Sequence, residues 1–222
     1  MRKYEFTGET KEISLYGRTV TLHRIKAAIE FGLIKVGELG GWIENESNLS
    51  HDNKSWVWGN AKVWGNAKVY DNAKVCGDAK VWGNAKVCGD AKVWGNAKVW
   101  GNAEVYDNAK VWGNAKVWGN AEVWGNAKVW GNAKVCGNAE VYRVDHILVI
   151  GPAGSRNDFT TFFRDRDNEI TVKCGCFLGK IDKFLEKVTQ THKDNKYAVV
   201  YRAAAELAKL QIDLSEESGE DE

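Results

Sequence analysis

Fifteen positions in the middle of the chain are suited to surface chemistry by stacking. Each follows one of fifteen valines spaced six apart from Val57 to Val141, and together they hold nine Trp, three Tyr and three Cys, with no charged or aliphatic residue. An aromatic series of this kind either stiffens neighbouring strands through side-chain ladders or exposes more apolar surface than a monomer usually carries, and is then buried against a partner. Two smaller groups also attract notice. Cys174-Gly-Cys176 puts two thiols two apart, but a zinc site needs four ligands and only the distant His146 and His192 remain to help, so buried strand cysteines are the favoured reading and no metal is expected. Gly151-Pro-Ala-Gly-Ser155-Arg156 ends in a hydroxyl and a guanidinium after a strand, a possible anion site at Ser155 and Arg156 that lacks the spacing and Lys of a P-loop. A plain turn is the simpler reading.

The element that positions the aromatic series is a six-residue unit, V-[WYC]-[GD]-[ND]-A-[KE], repeated without insertion over 57–142. Six is too short for a helical repeat and is the spacing of a β-helix, one short strand and one corner per unit. In a strand, residues two apart share a face, so Ala61 and Val63 point one way and Lys62 and Trp64 the other. Gly and Asn supply the corner because they tolerate positive φ.

The Ala-x-Val rhythm with Asn at the corner resembles the hexapeptide-repeat, left-handed parallel β-helix family. The segment GGWIENESNLSHDNKSWVWGNA, with LHRIKAAIEF before it, resembles the opening of the YdcK-type members, bacterial proteins described as transferases. The resemblance implies three hexapeptides per coil, hence five coils and roughly 24 Å of stack at ~4.8 Å per strand, and it is the resemblance that implies the left hand. At 18 residues per coil the outward residues form three rows. One is Trp58, Cys76, Trp94, Trp112 and Trp130; the next is Trp64, Trp82, Trp100, Trp118 and Cys136; the third is Tyr70, Cys88, Tyr106, Trp124 and Tyr142. Lysines flank them as Lys62, Lys80, Lys98, Lys116 and Lys134 on one edge and Lys74, Lys92, Lys110 and Lys128 on another, while the last edge changes from Lys68 and Lys86 to Glu104, Glu122 and Glu140.

The same resemblance offers an activity, acyl transfer from an acyl-CoA donor with a His base at a coil edge. The four histidines, His23, His51, His146 and His192, all lie outside the repeat, and a base must reach its proton within hydrogen-bonding distance. Fold alone does not carry function, and the uniform coils argue against catalysis.

The rest of the chain reads as two ends for this stack. Residues 1–56 are expected to be a β cap, with short strands at Tyr4–Phe6, Glu12–Tyr16 and Thr19–His23, turns at Thr7-Gly8-Glu9 and Tyr16-Gly17-Arg18, and a short helix or loop over Ile25–Ile34. From His146 the period is lost, and 146–212 reads as a small α+β domain. It has a strand at Ile147–Ile150, a turn at Gly151–Gly154, a hairpin of Phe159–Arg164 with Ile170–Phe177, and helices through Ile181, Phe184, Leu185 and Val188 and over about Asn195–Leu210. Residues 213–222, six of ten acidic, read as a disordered tail.

A net charge of +1 in 222 residues gives no global pull toward nucleic acid or membrane, although Trp beside Lys is a combination that can stack bases or sugars. No apolar run approaches the ~18 residues of a membrane span, and no signal peptide is read at the start. Five cysteines, three of them at the aromatic position, point to a reducing, cytoplasmic setting rather than a disulfide framework. The expectation is a mainly β, non-catalytic scaffold without cofactor, presenting its ladders for self-association or to another protein. A trimer through the row beginning at Trp64 is favoured because its neighbouring edge alone mixes charge. The alternatives are the acyltransferase, and a phage or mobile-element protein that captures a host factor or small ligand, suggested by near-identical units.

Overall fold

A computed structural model describes residues 2–15 and 17–215. Of the acidic segment, 216–222 lie outside the described residues, as does Tyr16 in its turn.

The repeat winds as a parallel β-solenoid. Each hexapeptide contributes a two-residue rung ending in Val, and rungs 18 residues apart pair in register, Lys80 beside Lys62 and Lys98, Val81 beside Val63 and Val99. Three stacks of rungs result. In chain order the first face carries Lys62 to Lys134, the second Lys68, Lys86, Glu104, Glu122 and Glu140, and the third Trp56, Lys74, Lys92, Lys110 and Lys128. Every Val and Ala of the unit is fully buried, as β-branched and small side chains should be where three sheets converge. Backbone amides bond to the next turn, for example Lys80 N–H to the Ala97 carbonyl at 2.9 Å and Trp82 N–H to Val99 at 3.0 Å.

The corners depend on left-handed backbone. Gly101 has φ of +76°, and a Cβ there would stand 3.0 Å from the Gly119 nitrogen, so a side chain would be both strained and crowded. Only Asp71 and Asp107 replace Gly at this corner position, at φ of 54° and 53°. On one corner the asparagine amides form a continuous ladder, Asn66 to Asn84 at 3.1 Å, Asn84 to Asn102 at 2.9 Å and Asn102 to Asn120 at 3.0 Å.

The stack has about six turns rather than the five counted from the hexapeptides. Trp42 and Ile43 pair with Lys62 and Val63, and Leu49 bridges Val69, so the last part of 1–56 is itself a turn. It escapes the hexapeptide count because the spacing from Ile43 to Leu49 to Val57 is six and then eight.

Before that turn, β1 (Tyr4–Leu15) and β2 (Arg18–Ala27) form one long antiparallel hairpin, not three short strands. Thr7-Gly8-Glu9 is a bulge rather than a turn: the register steps from Phe6–Ile25 to Thr10–His23, leaving three residues opposite Arg24. β2 pairs with β3 (Leu39–Ile43), which joins the first face of the solenoid. Ile25–Ile34 finishes β2 and continues as a loop without helix. Tyr4, Ile25, Ile34, Leu49 and Trp56 then fill the open end of the core. Trp56 takes the place of a Lys in its face because the Phe31 ring packs edge-on at 5.3 Å and covers it.

At the other end, β4 (Ile147–Ala153), β5 (Asp158–Arg164), β6 (Ile170–Cys174) and β7 (Phe177–Lys180) form an antiparallel sheet in chain order, followed by α1 (Ile181–His192) and α2 (Lys196–Gln211). β4 runs through to Ala153, paired with Asp158, so the turn is Gly154–Asn157 and not Gly151–Gly154. Alternation along β5 explains the join: Phe162 packs with the helices and Phe163 with the solenoid core. Asn195 caps α2, its side-chain oxygen accepting from Tyr197 and Ala198 N–H. Among the described residues no helix is long and apolar enough to cross a membrane.

Candidate binding surface

The three aromatic rows stand outside the solenoid, and their surroundings differ. On the first face, Trp64, Trp82, Trp100 and Trp118 stack at 5.0, 4.9 and 4.9 Å, within 2° of parallel. Both ends of this row are covered. Trp64 is buried with Leu22 of β2 and with Trp42, and Cys136 is buried where the C-terminal sheet meets the last turn, its thiol pushed up to about 11 by that burial. Trp82, Trp100 and Trp118 stay half-buried between them.

The second-face row is capped at its Tyr142 end by Arg164. Tyr106 and Trp124 stack at 5.5 Å and Trp124 and Tyr142 at 4.8 Å. Arg164 lies over the Tyr142 ring and donates to Glu140 at 3.1 Å. Arg166 pairs with Glu122, and Lys86 with Glu104 at 2.7 Å. The change from Lys to Glu along this edge therefore has partners within the molecule. Nothing in the repeat pointed to Arg164 and Arg166, although three Glu at one edge of a Lys-rich ladder was a signal that cations would face them. In this row burial raises the Tyr70 and Tyr106 hydroxyls above their ordinary value, and burial likewise raises the Cys88 thiol.

The third-face row is open. Trp94 and Trp112 stack at 4.9 Å and 3°, Trp112 and Trp130 at 5.6 Å and 16°. Cys76 interrupts the row between Trp58 and Trp94, its thiol raised by partial burial. These residues, with Lys74, Lys92, Lys110, Lys128 and Val144, line a trough of about 1180 Å³ along the solenoid. Trp130, 44% exposed, stands near its end. None of the four lysines has a carboxylate partner among the described residues. Indoles stacked along the axis turn their edges outward, and a ring edge is the positive part of the aromatic quadrupole. The trough is therefore apolar in its walls and positive in its potential.

The remaining candidates lie apart from it. Ser155 and Arg156 sit on the exposed Gly154–Asn157 turn, where Ser155 Oγ is 3.4 Å from His192 Nε2 and Arg156 packs by Gly175. The two thiols do not share a strand face, because Cys174 ends β6 and Gly175, at φ of +56°, turns the chain before the exposed Cys176. Cys174 Sγ accepts from Thr160 Oγ1 at 3.2 Å. His23 lies in β2. His51 stacks on Tyr4 at 4.3 Å and accepts from Lys3 N–H at 3.1 Å, with burial lowering its pKa. His146 is fully buried at the end of the solenoid, its pKa lowered to about 4 by burial and then by Arg164.

Compared with known protein families the chain matches none, and a search among curated proteins finds no match.

Proposed function

We propose that the chain is a non-catalytic β-helical scaffold whose third face seats an acidic, extended segment of a protein partner. The observation that carries this reading is the open trough in which Trp94, Trp112 and Trp130 run beside Lys92, Lys110 and Lys128 without carboxylate partners among the described residues. Apolar walls supply burial, and a line of like charges supplies electrostatic complementarity and orientation. Membership of the hexapeptide-repeat family, with its left-handed winding, belongs to the same reading on the strength of the Ala-x-Val unit and the YdcK-like opening segment. The transferase chemistry does not come with it, since the four histidines stand in the end structures and not along the trough. Five free cysteines suit a reducing, cytoplasmic setting.

The test is a titration of the full chain with a fluorescent oligoglutamate peptide at low salt. Reversing Lys92, Lys110 and Lys128 to Glu should abolish binding, and reversing Lys80, Lys98 and Lys116 should leave most of it. Equal loss in both variants removes the third face from the reading.

Self-association is a second reading, supported by the three half-exposed indoles of the first face. A trimer would bury Trp82, Trp100 and Trp118, and their joint replacement by Ser should give a folded monomer. Light scattering that finds a monomeric parent eliminates it.

A further inference from the structure

We infer that the C-terminal domain carries a phosphate site, built on the Gly154–Asn157 turn and independent of the trough. Its ligand is a phosphate monoester of a small molecule, held by Arg156, Ser155, His192 and the Tyr201 hydroxyl.

The site begins with a tyrosine hydroxyl that has no partner. Tyr201 of α2 is 5% exposed, and its hydroxyl ends against the turn. A Cβ at Gly154 would stand 2.2 Å from that oxygen, and Gly154 has φ of +70°, so only glycine lets the turn close down on it. A buried tyrosine usually finds a partner for its hydroxyl, yet this one makes no hydrogen bond among the described residues. A donor held there unused suits an acceptor from outside the chain.

Two more donors are brought to the same turn. His192, at the end of α1, lies 5.6 Å from the Tyr201 ring and tilted by 31°. Its Nε2 is 3.4 Å from Ser155 Oγ, which is long for a hydrogen bond to a hydroxyl. Neither group has another side-chain partner among the described residues, so a ligand oxygen can accept from both. No carboxylate bonds the other ring nitrogen, and the pair therefore lacks the third group that orients a base beside a nucleophilic serine. The arrangement is one for binding.

Charge makes the ligand an anion. Arg156 follows Ser155 in the turn and packs by Gly175, whose carbonyl accepts from Lys173 Nζ at 2.9 Å. Neither Arg156 nor Lys173 has a carboxylate partner among the described residues. The acids that flank the site in sequence are engaged elsewhere, Asp158 with Lys134 at 3.2 Å and Asp194 with Arg202 at 3.0 Å. A guanidinium fork matches phosphate oxygens. The donors come from the turn, from α1 and from α2, more directions than the two oxygens of a carboxylate can serve. A terminal phosphate offers three oxygens and at pH 7 has lost most of its second proton.

The experiment titrates the full chain with phenyl phosphate at pH 7 and constant ionic strength, with the histidine rings followed by NMR. The His192 signal should shift and saturate while those of His23, His51 and His146 hold still. Inorganic phosphate should compete for the same shift. Dimethyl phosphate, a diester with a single charge, should bind several-fold more weakly. Arg156→Gln and Tyr201→Phe should each raise the half-saturating concentration about tenfold, with an unchanged circular dichroism spectrum. A His192 signal that stays put or never saturates overturns the proposal, as does equal binding of the diester. Saturation left unmoved by Tyr201→Phe overturns it as well, because the hydroxyl is then no ligand and Arg156 is an ordinary surface cation.

Discussion

Arg164 stands 4.9 Å from the centre of the Tyr142 ring while its guanidinium reaches Glu140 at 3.1 Å. One side chain from the C-terminal sheet thus ends the second-face aromatic row and neutralises the last glutamate beside it. The Arg164 side chain is 8% exposed, so the pair is worth much more to break than to form. Arg164→Met should lower stability by about 3 kcal/mol, because Glu140 is left half-buried and uncompensated. Urea denaturation should show this as a lower midpoint. A double variant, Arg164→Met with Glu140→Gln, should recover part of the loss, and no recovery would mean that packing on Tyr142 rather than charge sets the effect.

Whole turns should be exchangeable. In a solenoid each turn contacts only its neighbours, and Lys74 followed by Val93 recreates an ordinary rung. Deleting Val75–Lys92 should leave a single cooperative unfolding transition and the same far-ultraviolet circular dichroism shape. Loss of cooperativity would show that the turns are not equivalent.

Filling the gap in the third-face row should stabilise the protein. Cys76 separates Trp58 from the stacked Trp94, Trp112 and Trp130. Cys76→Trp would extend the stack on both sides, with about 1 kcal/mol expected from the added aromatic pairs. A rise in Tm is the expected readout. An unchanged or lower Tm would indicate that the corner at Gly77 cannot admit the larger ring.

Buried His146 should make stability depend on pH. Its folded pKa is lowered to about 4, against 6.5 for the ordinary group. Between those values the unfolded chain binds the proton and the folded chain does not, so stability is full above pH 6.5 and falls as pH drops toward 4. The group contributes at most roughly 3 kcal/mol to this slope, at 1.36 kcal/mol per unit. His146→Phe should flatten the difference in stability between pH 7 and pH 4.5. An unchanged slope would assign the acid sensitivity to carboxylates such as Asp145, held low by Arg143.

The solenoid was legible because its unit encodes both periods at once: Val and Ala two apart give a strand with one buried side, and Gly-Asn gives the corner. The ends were harder. Ile43, Leu49 and Val57 do the work of repeat residues at unequal spacing, so the first turn is hidden. Thr7-Gly8-Glu9 carries turn composition and yet folds as a bulge, because the two strands pair on both sides of it, Phe6 with Ile25 and Thr10 with His23. The helices of the C-terminal domain followed from Ile181, Phe184 and Val188. The rows themselves could be listed from the chain, but which ends are covered depends on Leu22, Trp42 and Arg164, residues distant in sequence from the rows they touch.

The in-register pairing of Lys74, Lys92, Lys110 and Lys128 fixes their spacing at the pitch of the backbone, ~4.8 Å. That is shorter than the ~7 Å at which two unit charges in water interact with an energy of RT. The third face is thus a short polyelectrolyte, a line charge dense enough to hold a local excess of small anions. An acidic chain arriving there releases those ions, so its affinity should fall steeply and log-linearly with salt concentration, as it does for ligands of other line charges.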